Sequence, residues 1–442
     1  MEAPMPNLVT RVHDLSQAKK VLAPIIARGK DDEALSVRER VSEIIGSVRR
    51  GGNTALLNWA RTLDGFRGDE RDLELPPDAA EKAWKELLPE IREALSFARD
   101  RIRKTHEVAR DALRDIPPGP RGGARLTPID RVAVYVPGGT ALYPSTVLMT
   151  ATVARVAGVR EISVLTPGGP EGIAPVVLAA CHAASVDRIF PVGGVHGLAA
   201  LAFGTETLPA VDMIVGPGNR YVAEAKRQLY GTIAIDMIAG PTEVVVIADR
   251  SANPRWVAAD LLAQAEHDKQ ASAVLLTDSE ELAGKVAGEI ESQLATLPRA
   301  EIARASLERF GALLVVDSID MAATLSDLLA PEHLELCVAD PATLVGKIKN
   351  AGAIFMGSGV PEAAGDYCYG PSHVLPTNGT ARFASPVGVE TFMKRTSLLG
   401  LPEGIETIPD LDRILEVSEI LARAEGLEGH ARSAGLRRRT SP

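Results

Sequence analysis

The chain has few aromatic residues, no paired cysteine motif, no long apolar run and no surplus of basic charge, and each shortage closes off a class of protein. Aromatics are 4% of 442 residues, too few for a nucleobase-stacking surface. Basic side chains number 48 against 58 acidic ones, a net charge of −10, so the basic footprint that phosphate backbones demand is missing. Its one basic cluster, Arg437 to Arg439, reads as a solvated tail. Cys181, Cys337 and Cys368 are widely spaced and form no CxxC pair, as expected for reduced thiols in a cytoplasmic protein. No run of about 18 apolar residues offers a membrane span. The first residues, MEAPMPNLVT, contain neither part of a secretory signal.

What remains is aliphatic α/β material. The apolar share is 45% and the charged share 24%, ordinary globular usage in a chain long enough for two or more lobes. The first ~125 residues read as helical. Apolar positions recur at helical spacing from Asp31 to Arg50, with Gly51-Gly52 as a stop, and a second helix is expected from Asp78 to Leu113. From Arg131 the texture changes to short aliphatic runs: Val132–Val136, Glu161–Leu165, Arg188–Val192, Met213–Val215 and Thr232–Asp236. A second series follows at Glu243–Ala248, Ala273–Thr277, Ala312–Val316, Leu334–Val338 and Ala353–Met356. Helical segments such as Thr146–Ala157, Trp256–His267 and Glu281–Leu294 separate them, which predicts parallel sheets covered on both faces. Gly357 to Pro386 reads as a long, functional loop, and Val389–Arg395 and Leu411–Arg432 as a C-terminal helical arm.

Glycine turns cluster where strands should end: Pro137-Gly138-Gly139, Gly193-Gly194 and Gly216-Pro217-Gly218-Asn219. Turns there suit a dinucleotide, although GxGxxG is absent and ordinary tight turns remain the alternative.

Two constellations carry chemistry. On the Trp256–Asp268 segment, Val257, Leu261 and Gln264 share one helix face, His267 continues it, and Glu266 points the other way. Polar Gln264 and His267 on a buried face need partners. A divalent ion such as zinc is one, and hydrogen bonds to each other or the backbone are the other. Asp366 and His430 are candidates for completing a metal shell. In Pro331-Glu332-His333-Leu334, adjacent side chains at a strand entrance face different directions. His333 suits proton abstraction and Glu332 water activation, unless the dipeptide is a cap or a surface pair.

Together these segments resemble the histidinol dehydrogenase family. The motifs are Tyr135-Val-Pro-Gly-Gly, Gly216-Pro-Gly-Asn219, Asp236-Met-Ile-Ala-Gly-Pro-Thr242-Glu, Gln264-Ala-Glu-His267, Pro331-Glu-His333-Leu, Gly365-Asp366-Tyr, His373-Val-Leu-Pro-Thr and Gly426-Leu-Glu-Gly-His430, in order from about residue 35 to 435. The resemblance implies NAD-dependent oxidation of L-histidinol through the aldehyde to L-histidine. It implies one zinc ion per subunit on Gln264, His267, Asp366 and His430, with His430 given by the other subunit of a homodimer. Tyr135 and Asn219 would contact NAD, and His196 stands where a glutamine usually does so. Thr242, His373 and Glu425 would line the substrate pocket together with His333 and the metal ligands, and Glu332 and His333 would carry the acid–base work. Thr242 replaces the usual serine, Ser372 an asparagine and Arg220 an apolar residue, which leaves room for a paralogue acting on another small amino or sulfonate alcohol. A zinc hydrolase is the alternative from another class.

The expected organisation is two Rossmann-like parallel α/β domains with an incomplete nucleotide fingerprint. Residues 1–30 form an N-terminal arm, 31–130 with 242–385 the catalytic and metal domain, 131–241 the NAD domain, and 386–442 a helical dimerisation arm.

Overall fold

A computed structural model describes residues 8–28, 34–119, 121–138, 142–400, 408 and 410–438. Gly139 and Arg439, and residues 1–7, 29 and 30 of the expected arm, lie outside them. The chain separates into two units, one of Met1–Arg110 with Ile129–Phe392 and the other of Asp111–Pro128 with Met393–Pro442.

The large unit contains two parallel sheets. The first has six strands in the order Val9–Arg11, Gly311–Val315, Ser272–Thr277, Glu243–Ala248, His333–Cys337 and Ala353–Met356. The central strands are buried at every position, which explains the aliphatic runs at residues 244–247 and 273–276. Sequence neighbours run outward from Glu243–Ala248 on one side and from His333–Cys337 on the other, so the winding direction reverses between these two strands. There His333 sits opposite Val244 and Ala353. The second sheet has five strands, Arg188–Phe190, Glu161–Leu165, Arg131–Tyr135, Met213–Val215 and Ala234–Ile235, with its reversal between Tyr135 and Met213.

Helices cover both sheets. Asn253 caps Pro254–Ala265 through the Arg255 amide, and Pro254 occupies the first turn where no amide partner is needed. Gly51-Gly52 interrupts rather than ends the first long helix. Gly52 has φ +51°, and helix resumes beyond it to Leu63. The expected single helix over 78–113 is two, Ala79–Glu86 and Pro89–Ala112, divided just before Pro89. The sequence assigned residues 31–130 to the lobe of the six-stranded sheet. Instead Val37, Val41, Ile44, Val48 and Leu56 enter one core with Tyr135 of the five-stranded sheet and with Leu198, Leu201 and Val222 of the helices that cover it. A helical stripe declares that it must be covered, not which sheet covers it.

In the small unit, Gly123–Pro128 pairs antiparallel with Met393–Leu398. Val389–Phe392, expected as helix through Arg395, is a short 3-10 turn leading into that strand. Leu411–Ala424 and Glu428–Gly435 are separate helices, broken at Gly426 with φ +76°. No described helix is long and apolar enough to cross a membrane.

Candidate active site

The residues expected to do acid–base work sit at the amino end of one of the two strands that flank the reversal in the six-stranded sheet. Glu332 and His333 are both buried, Glu332 just before its strand and His333 its first residue. Opposite them the Glu243–Ala248 strand begins. The Glu243 amide donates to Glu332 Oε2 at 3.0 Å, and the Thr242 hydroxyl donates to the same oxygen. The carbonyl oxygen of Glu243 lies 3.2 Å from His333 Nδ1 and accepts from it whenever that nitrogen carries a proton. One strand start therefore holds both side chains, which exposed caps or surface pairs would not require.

Gln264, on the covering helix, is fully buried. Its Nε2 donates to Thr242 Oγ1 at 2.8 Å and lies 3.1 Å from His333 Nδ1. Its Oε1 has no hydrogen-bond partner among the described residues. A buried carbonyl-type oxygen left unpaired costs ~1–3 kcal/mol, so it is suited to meet a cation. Asp366 Oδ1 stands 3.7 Å from His333 Nε2. The His373 ring donates from Nδ1 to the Asp366 carbonyl at 2.8 Å, and Nδ1 is 4.0 Å from Asp366 Oδ1. The structure thus gathers Thr242, Gln264, Glu332, His333, Asp366 and His373. His267 differs from expectation. The helix ends at Ala265, so His267 lies in the following turn and is exposed, while Glu266 is half-buried. It remains close enough to help hold down the Asp366 pKa. Among the described residues no group of three or more His, Cys, Asp or Glu is poised to hold a metal.

The electrostatics follow from burial and crowding. Burial pushes the Glu332 carboxyl up, with His333 and the Thr242 hydroxyl opposing. For His333 burial favours the neutral ring, but Glu362, Glu332 and Asp366 outweigh it and hold the imidazole well above its ordinary range. Sequence reasoning missed this surrounding shell. Glu362 Oε1 is 3.7 Å from His333 Nδ1, and the Glu362 amide donates to buried Glu335. Burial pushes Glu362 up to about 8 and Asp260, beside Glu335, up to about 6. The available signal was a carboxylate in the otherwise apolar strand His333-Leu-Glu335-Leu-Cys337.

The candidate nucleotide residues lie at the carboxyl ends of the five-stranded sheet. Tyr135 ends its strand, is buried, and hydrogen-bonds the Gly194 backbone; burial pushes its phenol up to about 12. Gly216 has φ +112°, and a Cβ there would stand 2.2 Å from the Tyr135 carbonyl oxygen, so no other residue fits. Asn219 caps the helix Arg220–Leu229 through the Tyr221 and Val222 amides. Lys226 and Asp236, buried together, brace this turn: Lys226 Nζ donates to the Gly216 carbonyl at 2.6 Å and Asp236 accepts from the Gly216 amide at 2.7 Å. His196, expected to touch NAD, has no accessible surface. Its Nε2 is 3.0 Å from Asp64 Oδ2, which also accepts from the Gly193 amide at 2.8 Å. The ring turns into the core because a carboxylate from the helical segment is there to receive it.

In the small unit, Glu425 and His430 are exposed and line one groove between the two C-terminal helices.

Buried acid–base groups at a strand reversal, with glycine turns at the ends of a second parallel sheet, are features of an α/β enzyme. Comparison with known proteins gives the family. A profile described as histidinol dehydrogenase matches residues 27–438. Histidinol dehydrogenase from Synechococcus sp. is 46% identical over 432 residues, 97% of this chain and 98% of its own length. That from Aromatoleum aromaticum is 49% identical over 403 residues, 90% of each chain. A crystal structure of histidinol dehydrogenase from Elizabethkingia anophelis superposes with TM-score 0.87 at 34% identity, covering 97% of both chains. The chain belongs to the histidinol dehydrogenase family.

Proposed function

We propose that this enzyme oxidises L-histidinol in two NAD-dependent steps, through L-histidinaldehyde to L-histidine, the last oxidation of histidine biosynthesis. The observation that carries the reading is the buried Glu332–His333 pair, held by the Thr242-Glu243 strand start beside an unpaired Gln264 carbonyl. In the first step the alcohol loses a proton and a hydride, giving aldehyde, NADH and one proton. In the second, water adds to the aldehyde and a further hydride leaves, giving carboxylate, NADH and two protons.

His333 takes the alcohol proton. The carboxylates around it make the ring a stronger base, and the Glu243 carbonyl steadies the protonated ring. Glu332, with its Oε2 fixed by two donors, takes a proton from the water that adds to the aldehyde. Burial of the pair keeps bulk water from the aldehyde between steps. Thr242, His373 and Glu425 belong to the substrate pocket on this reading, as do His333 and the metal ligands.

The donor set fits zinc: an unpaired amide oxygen, an imidazole and a carboxylate held low. Gln264, His267, Asp366 and His430, the last from the second copy of a homodimer, would hold one zinc ion per subunit. Bound there, it supplies charge that orients the amino alcohol. Residues 131–241 form the NAD-binding part, with Tyr135 and Asn219 touching the dinucleotide, and residues 386–442 the dimerisation arm. His196 acts at one remove, through Asp64 and the Gly193 amide. The enzyme works in the cytoplasm, where its cysteines stay reduced.

The test is NADH formation from purified protein, L-histidinol and NAD+, before and after zinc chelation. Two NADH per histidinol, lost on chelation and restored by zinc, supports the reading. A folded, zinc-loaded protein that forms no NADH overturns it.

A further inference from the structure

Both acid–base side chains lean on one residue, Glu243. Its amide fixes Glu332 Oε2 at 3.0 Å, and its carbonyl oxygen is 3.2 Å from His333 Nδ1. The Glu243 side chain is itself buried. There Oε1 accepts from Arg28 Nη2 at 2.9 Å and from the Asn378 amide at 2.6 Å. Arg28 follows the helix Leu15–Ala27, more than two hundred residues earlier in the chain. Its side chain is 1% exposed, lies over the Phe310 ring at 5.7 Å, and Nη2 is 3.4 Å from the Pro241 carbonyl oxygen.

A buried ion pair is poor at stabilising a fold, because stripping water from two charges offsets most of their attraction; apolar residues of the same volume often do as well. What such a pair supplies is a fixed orientation. Here it fixes the strand start that touches both reacting side chains. We propose that Arg28 and Glu243 are a positioning pair, clamping the Thr242-Glu243 strand start so that Glu332 and His333 keep their working orientations. The inference rests on Glu332 and His333 being the acid–base pair of the proposed reaction.

The pair also carries charge into the site. Glu332 is faced by Arg28, Glu243, His333, Glu362 and Asp366. Removing Arg28 takes away a cation and leaves carboxylates, which raises the Glu332 pKa. Removing the Glu243 charge leaves Arg28 unbalanced, which lowers it. Because Glu332 works ionised, the acid limb of the kcat profile should move to higher pH in one variant and to lower pH in the other.

The experiment compares zinc-loaded wild type, Arg28→Met, Arg28→Lys and Glu243→Gln. It records kcat, KM for L-histidinol and for NAD+, the pH profile of kcat, and thermal unfolding. Expected for Arg28→Met are a roughly 10- to 100-fold loss in kcat, an unchanged KM for NAD+ and an acid limb at higher pH, with much of the loss recovered in Arg28→Lys. Glu243→Gln should move the limb the other way. A folded Arg28→Met enzyme with wild-type kcat and pH profile overturns the proposal. If Arg28→Met fails to fold, Glu243→Gln, which keeps the side-chain volume but weakens the pairing with Arg28, decides: a folded variant with wild-type kcat overturns it. Glu332→Gln run alongside separates the two readings, since wild-type turnover in that variant would sink the acid–base assignment itself.

Discussion

The two parallel sheets of the large unit put their polar groups at opposite ends. In the five-stranded sheet the glycine turns, Tyr135 and Asn219 follow the carboxyl ends of the strands, where parallel sheets ordinarily bind ligands. In the six-stranded sheet Thr242, Glu332 and His333 stand at the amino ends, on either side of the strand reversal. The first, a candidate ligand site, is built from tight turns and glycines that would let a large ligand come close. The second is built from buried side chains whose carboxylates crowd one imidazole. A large ligand needs close access to the backbone, whereas proton transfer needs groups whose charge is tuned by leaving water, and the two requirements favour different locations.

Substitutions can break that division or sharpen it. The largest effect belongs to the amino-end site. His333→Ala should lower kcat by ~10²–10⁴ while NAD binding and the unfolding temperature hold, read by steady-state NADH formation and NAD titration. A matching loss of NAD affinity would show that the two regions are not separable. Next comes Gly216→Ala at the carboxyl-end site. A methyl group 2.2 Å from the Tyr135 carbonyl in a left-handed conformation must displace the turn, for ~1–3 kcal/mol of strain. KM for NAD+ should rise about tenfold or more with a smaller change in kcat.

The His196–Asp64 pair gives an intermediate effect. His196→Ala strips a buried carboxylate of one donor and should destabilise the fold by ~1–3 kcal/mol, with KM for NAD+ raised. His196→Gln, whose amide can again donate to Asp64, should recover most of both, and equal losses in the two variants would contradict this. The smallest effect concerns the thiols. Burial pushes Cys337 up to about 12 and Cys181 higher still, so neither reacts as a thiolate near neutral pH. Half-buried Cys368 should be the one alkylated in native protein, with the other two following only on unfolding, as mass spectrometry would record.

Much of the candidate site was legible because its residues sit in short, dense segments. Glu332 and His333 are adjacent, Gln264 stands on an apolar helix face, and Asp366 lies in a polar stretch lacking periodicity. The strands were legible because covered parallel strands are mostly aliphatic, and Met213–Val215, Glu243–Ala248 and Ala353–Met356 form at their expected bounds. Other features depended on residues far apart in the chain. Whether His196 faces a ligand or the core is decided by Asp64, more than a hundred residues earlier. That Met393–Leu398 is strand is decided by Gly123–Pro128, its only ladder partner among the described residues. His267 escaped its expected face because the helix ends two residues short of it, at Ala265.

By itself, then, the sequence determined the α/β class, the positions of most strands, and the candidate side chains for acid–base and metal chemistry. These follow from composition, period and local spacing, which operate within a few residues. Only the tertiary structure decided which sheet the first long helix covers, which carboxylates crowd His333, that Arg28 reaches Glu243, and that the Gln264 oxygen stays unpaired. Each of these is a contact between distant segments. A buried charge or orphaned acceptor acquires its meaning only when packing has removed water and brought in, or withheld, a partner.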